Sequence, residues 1–141
     1  MIAVSEVMTR DPVKLAPADS MQRAAELMRT LDIGAIPVCD SNILIGMITD
    51  RDMVIRGVSQ GRNPHTVVKE VCTRNVERCY EDDDVETVRG AMQDSQIRRT
   101  PVVNRDQELV GIVSLGDLAT RGDKDTGDTL GQISTPSEPN R

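Results

Sequence analysis

Apolar positions along the chain change period in a fixed order, and the order occurs twice. Val13 and Leu15 alternate as on a short strand, and Met21, Ala24, Ala25, Met28 and Leu31 then follow at helical spacing. Asp19 stands before that run with Gln22 three residues on, which predicts a capped helix start. Two apolar stretches, Ile36 to Cys39 and Leu44 to Ile48, flank the polar turn Asp40-Ser41-Asn42 and predict a hairpin. Thr49 then stands as the N-cap of a closing helix.

The second half repeats the scheme. Asp83 and Glu86 form the cap pair, and Val85, Val88 and Met92 the apolar face. Pro101 to Val103 and Leu109 to Val113 flank the turn Asn104-Arg105-Asp106, and Ser114 caps the closing helix. Letter matches support the repeat: Val7-Met8-Thr9-Arg10 returns as Val71-Cys72-Thr73-Arg74, and Ile33-Gly34-Ala35-Ile36-Pro37-Val38 as Ile97-Arg98-Arg99-Thr100-Pro101-Val102. Gly46 to Asp52 returns as Gly111 to Asp117, one residue later than the preceding step, so the second turn holds an extra residue. Two βαββα units of α/β (α+β) type follow, 1–60 and 61–122, each with a short helical lead-in and able to pack about a pseudo-twofold axis. Gly57 to Pro64 reads as the linker. Residues 123–141 are polar and contain Pro136 and Pro139, with Leu130 and Ile133 as the only large apolar side chains. That composition predicts a disordered tail whose deletion leaves stability unchanged.

Composition narrows the function. The 141 residues include no Trp or Phe, and Tyr80 is the sole aromatic, so the core is aliphatic and no platform stacks single-stranded nucleic acid. A net charge of −6 argues against nucleic acid and anionic membranes as partners. No stretch approaches bilayer length and the N-terminus lacks signal-peptide character, which points to a cytoplasmic protein. Cys39, Cys72 and Cys79 have no CxxC spacing and read as reduced core residues; with His65 the single histidine, no metal site is expected. No Ser-His-Asp or Cys-His grouping is present, so no enzyme is expected.

Candidate chemistry lies at the closing helices. Thr49 with Asp52, and Ser114 with Asp117, each set a hydroxyl at a helix N-terminus and a carboxylate three residues on. The pattern suits a phosphate at the helix end and ribose hydroxyls on the carboxylate. It is equally the ordinary way to start a helix. Arg98-Arg99 replaces Gly34-Ala35 of the first repeat. The pair reads either as solvated or bridged to Asp94 and Glu108, or as a forked clamp for phosphate.

These motifs in this order resemble the CBS domain, and the pair resembles a Bateman module. The small stand-alone two-CBS proteins of bacteria, the hypoxic response group among them, share the pattern over residues 1 to 122. The resemblance implies adenosyl ligands in clefts between repeats. One cleft would use Thr9, Lys14, Ile33 and Gly34 with Arg98, Arg99, Ile112, Ser114 and Asp117. There Asp117 would hold ribose, Ser114 and the arginines phosphate, and Ile33 and Ile112 adenine. A second would use Thr73, Arg78, Ile97 and Arg98 with Gly34, Ala35, Met47, Thr49 and Asp52, and it lacks the paired charge. The resemblance further implies AMP, ADP or ATP ahead of NAD or S-adenosylmethionine, no catalytic cofactor, a homodimer, and an effector protein of unknown identity. The alternative is a stress-linked protein-interaction module without nucleotide binding.

Overall fold

The computed structural model describes residues 1–122; the tail 123–141 lies outside the described residues. Its compact units are cut differently from the repeats at 1–60 and 61–122. Among the described residues a continuous unit comprises Val13–Val76, and a split unit joins Met1–Pro12 to residues 77–122. Each repeat's lead-in therefore belongs to the compact unit of the other repeat. The lead-ins are apolar enough to be drawn into a core: Val4, Val7 and Met8 are buried with Val85, Val88, Val102 and Val113, and Val68, Val71 and Cys72 with Ile36, Val38 and Ile48.

In the continuous unit, α1 (Met21–Leu31) buries Met21, Ala24 and Met28. It packs on the hairpin of β2 (Ala35–Asp40) and β3 (Ile43–Thr49), and the lead-in strand β4 (Thr73–Arg74) adds beside β3. Asp40 pairs with Ile43 across Ser41 and Asn42, whose φ values of 49° and 72° make a two-residue turn matched to strand twist. The strand expected at Val13 and Leu15 is only a bridge from Leu15 to Val38.

In the split unit, β5 (Cys79–Tyr80), β6 (Arg99–Val103) and β7 (Leu109–Ser114) form a sheet. Strand β1 (Thr9–Arg10) adds to the free side of β7. Helices Val85–Ser95 (α3) and Leu115–Gly122 (α4) complete the unit. The longer hairpin turn is organised by the Asn104 carboxamide oxygen, which accepts from the Asp106 and Glu108 N–H groups.

Both helix starts differ from the sequence expectation by one residue. Ser20, not Asp19, caps α1, accepting from the Arg23 N–H at 3.0 Å. Asp19 instead accepts from the Ala16 N–H at 2.8 Å, and Asp83 likewise from Tyr80 at 2.8 Å. Each acid closes the turn before its helix, because its carboxylate reaches an N–H three residues back that would otherwise go unpaired. Asp84 holds the cap position of α3 without a side-chain bond to the backbone, and Glu86 pairs with Arg89. Ser20→Ala should therefore cost about 1 kcal/mol in denaturant unfolding.

The first closing helix also departs from expectation. It has one α turn, Asp50–Asp52 (α2), then π geometry over Met53–Gly57 and a 3-10 turn over Val58–Gln60. Gly57 explains the close approach to α1, since a Cβ there would meet the Met21 Sδ at 2.6 Å. Val54, Ile55 and Val58 are left exposed on this segment.

Candidate functional site

Register sorts the candidate residues onto one face of each sheet. In the split unit Arg99 pairs with Ser114, Pro101 with Ile112, and Ile112 with Thr9. Side chains alternate along a strand, so these residues share the face opposite the buried Thr100, Val102 and Val113. The continuous unit repeats the arrangement with Ala35 opposite Thr49, Pro37 opposite Met47, and Met47 opposite Thr73. Each unit thus gathers candidate residues on one face from its hairpin and the lead-in strand of the other repeat.

At the end of each hairpin the chain turns into the closing helix by the same device. The Ser114 Oγ accepts from the Asp117 N–H at 3.0 Å, and Asp117 Oδ2 accepts from the Ser114 N–H at 3.2 Å. The Arg98 carbonyl takes the Leu115 N–H at 2.9 Å. In the other unit Thr49 and Asp52 exchange bonds of 3.0 and 3.1 Å, and the Gly34 carbonyl takes the Asp50 N–H at 3.0 Å. The ordinary helix-start role is therefore present at both places, and a ligand role has to rest on capacity left over.

That capacity differs sharply between the copies. The Thr73 hydroxyl donates to both oxygens of Asp52, at 3.1 and 3.3 Å, and Asp52 is buried. Asp117, matching Asp52, has its Oδ1 unclaimed among the described residues, and Thr9, matching Thr73, is exposed. Gly116 replaces Arg51 beside it, and among the described residues a Cβ there would touch only the Ser114 Oγ, at 3.8 Å. The helix start next to Asp117 is open where its counterpart carries a long side chain. Arg99, half-buried at the end of β6, has a buried Nε that finds no hydrogen-bond partner among the described residues. Among the described residues no ion pair joins Arg99 to Asp94 or Glu108. A buried unsatisfied donor beside an open carboxylate and a hydroxyl can serve an anionic, hydroxyl-bearing molecule.

The remaining candidates are placed less centrally. Lys14 donates to the Asn42 side chain, at the turn end of the first hairpin and so away from Gly34 and Thr49. Arg78 donates to Gln107 at 3.4 Å, at the turn end of the second. Ile33 packs against the core of the continuous unit and Ile97 against that of the split unit. Sequence reasoning missed the Thr73 bond to Asp52 and the opening at Gly116. The second was legible as the mismatch of Arg51 with Gly116.

The pattern that defines CBS domains matches residues 4–57 and 68–123. The chain belongs to the CBS domain family. This CBS pair is 38% identical over 136 residues to the CBS domain-containing protein YhcV of Bacillus subtilis, covering 95% of this chain and 96% of that one. It superposes on the crystal structure of Hypoxic Response Protein I with two coordinated zinc ions with TM-score 0.77 and 32% identity, covering 85% and 98% of the two chains. The CBS domain pair of protein MJ0100, solved with 5-methylthioadenosine and S-adenosyl-L-methionine, gives TM-score 0.75 at 26% identity over 89% of this chain and 99% of that one.

Among the described residues of this CBS pair no three His, Cys, Asp or Glu side chains are grouped to hold a metal, and no helix is long and apolar enough to cross a membrane. The three cysteines are buried free thiols. Burial, with the Asp83 carboxylate adding to it, pushes the Cys79 thiol up to about 12. Burial raises Cys39 and Cys72 as well. A thiol raised in the folded state stabilises fully below its unfolded value and loses that contribution as pH rises through the folded one. Unfolding free energy should therefore hold at pH 8 and fall between pH 9 and about 12. Cys79→Ala should flatten that fall in denaturant titrations at stepped pH.

Proposed function

We propose that this CBS pair is a regulatory, non-catalytic module that binds an adenine nucleotide of the AMP, ADP or ATP type and signals to a partner protein. The observation that carries the reading is the Asp117 half-site: among the described residues, a carboxylate oxygen without a claimant, the Ser114 hydroxyl, the open backbone at Gly116 and the unpaired Arg99 Nε, all at one strand-to-helix junction. Asp117 takes ribose hydroxyls, and Arg99 with Ser114 takes phosphate. Ile112 and Thr9, on the same face, supply the apolar and polar flanks of the base. The matching residues within the continuous unit, Ala35, Met47, Thr49, Asp52 and Thr73, form a weaker set, because Thr73 already occupies Asp52. The adenosyl ligands in the MJ0100 structure support the ligand class.

Calorimetric titration with AMP, ATP and adenosine, beside mass spectrometry of small molecules released from gently purified protein, tests the reading. Saturable heat with AMP is the expected result. Absence of both heat and thermal shift with every adenine ligand would leave a protein-interaction module as the function. The exposed Val54, Ile55 and Val58 favour an apolar contact surface in either case, and we assign it to a cytoplasmic homodimer.

A further inference from the structure

On the opposite side of the β5–β6 sheet from the Arg99 face lies a pocket of about 240 Å³. Its walls include Cys79, Val88, Ala91, Met92 and Thr100, with Glu77, Arg78, Asp83 and Thr87 also lining it. The repeat explains how it arises. At the matching positions of the first repeat stand Leu15 for Cys79, Leu27 for Ala91 and Ile36 for Thr100. Leu15 and Ile36 are buried in the core of the continuous unit, and Leu27 packs against it. Three large aliphatic side chains that fill space in one copy are thus replaced in the other by a thiol, a methyl and a hydroxyl. The space they leave is a cleft open to solvent on one side, so a small molecule can enter it without unfolding of the chain.

The lining has a definite chemical character. Thr100 is 4% exposed, and its hydroxyl has no hydrogen-bond partner among the described residues. The other lining groups are engaged elsewhere: Glu77 accepts from the Ser95 hydroxyl, Arg78 donates to Gln107, Asp83 accepts from the Tyr80 N–H, and the Cys79 thiol points to the Pro101 carbonyl. The buried part of the wall, Cys79, Val88, Met92 and Thr100, offers apolar surface and one open hydroxyl, whereas the charges of Glu77, Arg78 and Asp83 sit on exposed or half-buried residues, so an ion taken into the buried part would be costly.

We propose that this pocket is a second ligand site, separate from the Asp117 half-site, for a small neutral molecule with an apolar ring-sized body and one hydrogen-bonding group directed at Thr100. The size is suitable, since an engineered apolar cavity of about 150 Å³ admits benzene.

Cyclohexanol is the probe, followed by methyl NMR of the full chain. Saturable shifts confined to Val88, Ala91, Met92 and Thr100 are expected, with a dissociation constant on the order of 1 mM. Restoring the first-repeat residues, Ala91→Leu with Thr100→Ile, should raise the melting temperature and weaken cyclohexanol at least about tenfold. Thr100→Val keeps the shape and removes the hydroxyl, so it should weaken cyclohexanol about fivefold while methylcyclohexane binds as before. This isosteric variant remains informative if the double variant does not fold. Shifts without saturation, or equal cyclohexanol affinity in the filled variant, would overturn the site. Unchanged cyclohexanol affinity in Thr100→Val would overturn the role given to its hydroxyl. AMP binding at Asp117 stands or falls separately.

Discussion

Gly46→Ala should destabilise the protein by about 3 kcal/mol, from the cost of forcing atoms into a packed site, and lower its melting temperature by roughly 10 °C. A Cβ at residue 46 would lie 2.4 Å from the Thr73 carbonyl oxygen. That oxygen is backbone, so no side-chain rotation relieves the contact, and β4 has to move away from β3. The pairings Gly46 to Arg74 and Met47 to Thr73 weaken, and the Thr73 bonds to Asp52 weaken with them. Gly111→Ala meets the Met8 Sδ at 2.5 Å, the end of a flexible side chain, and the Thr9 carbonyl oxygen at 2.8 Å, farther than at Gly46, and should cost somewhat less. Gly90 supplies the contrast: it lies within α3, and a Cβ there meets nothing within 4 Å. Gly90→Ala should stabilise by about 0.5–1 kcal/mol. Scanning calorimetry of the three variants measures all of this, and a Gly46→Ala protein as stable as the parent would refute the close-approach argument.

Asp117→Asn and Arg99→Ala should separate the two jobs assigned to the half-site. The amide keeps the shape but gives up charge-assisted acceptance, so adenosine, AMP and ATP should weaken together. Arg99→Ala should spare adenosine and weaken AMP and ATP by about 1.5–3 kcal/mol for a lost charged hydrogen bond. It should also flatten the salt dependence of AMP binding, because the missing contribution is Coulombic. Asp52→Asn should change ligand binding little, since Asp52 is already held by Thr73 and Thr49. If the acids serve only as helix starts, both Asp substitutions lower stability slightly and leave titration curves alone. Calorimetry at two salt concentrations separates the outcomes.

Much of this was legible in the chain because period and repetition carry it. The hairpins at 35–49 and 99–114, the helices after Asp19 and Asp83, and the Thr49 and Ser114 caps follow from apolar spacing and from capping chemistry that needs only neighbouring residues. What escaped depends on contacts distant in sequence. Nothing local to Thr9 says that it pairs with Ile112, and nothing local to Thr73 says that its hydroxyl reaches Asp52. The one-residue offset at the helix starts has a different origin. Asp19-Ser20 and Asp83-Asp84 each offer two side chains able to cap, and the preceding turn claims the first. The π geometry after Asp52 arises where Gly57 meets Met21, which spacing alone does not reveal.

The exchanged lead-ins also set an order of events during synthesis. A ribosome releases the chain from its N-terminus, and domains fold as units while it emerges. Val13–Val76 is complete once residue 76 is out, so that unit has all its strands early. Thr9 and Arg10, made before that unit, have no strand to join until Gly111 and Ile112 appear. Until then Val4, Val7 and Met8 remain outside the core that later covers them. A stretch made before the continuous unit is thus the last to find its place, and the risk of wrong association is concentrated in residues 1–12.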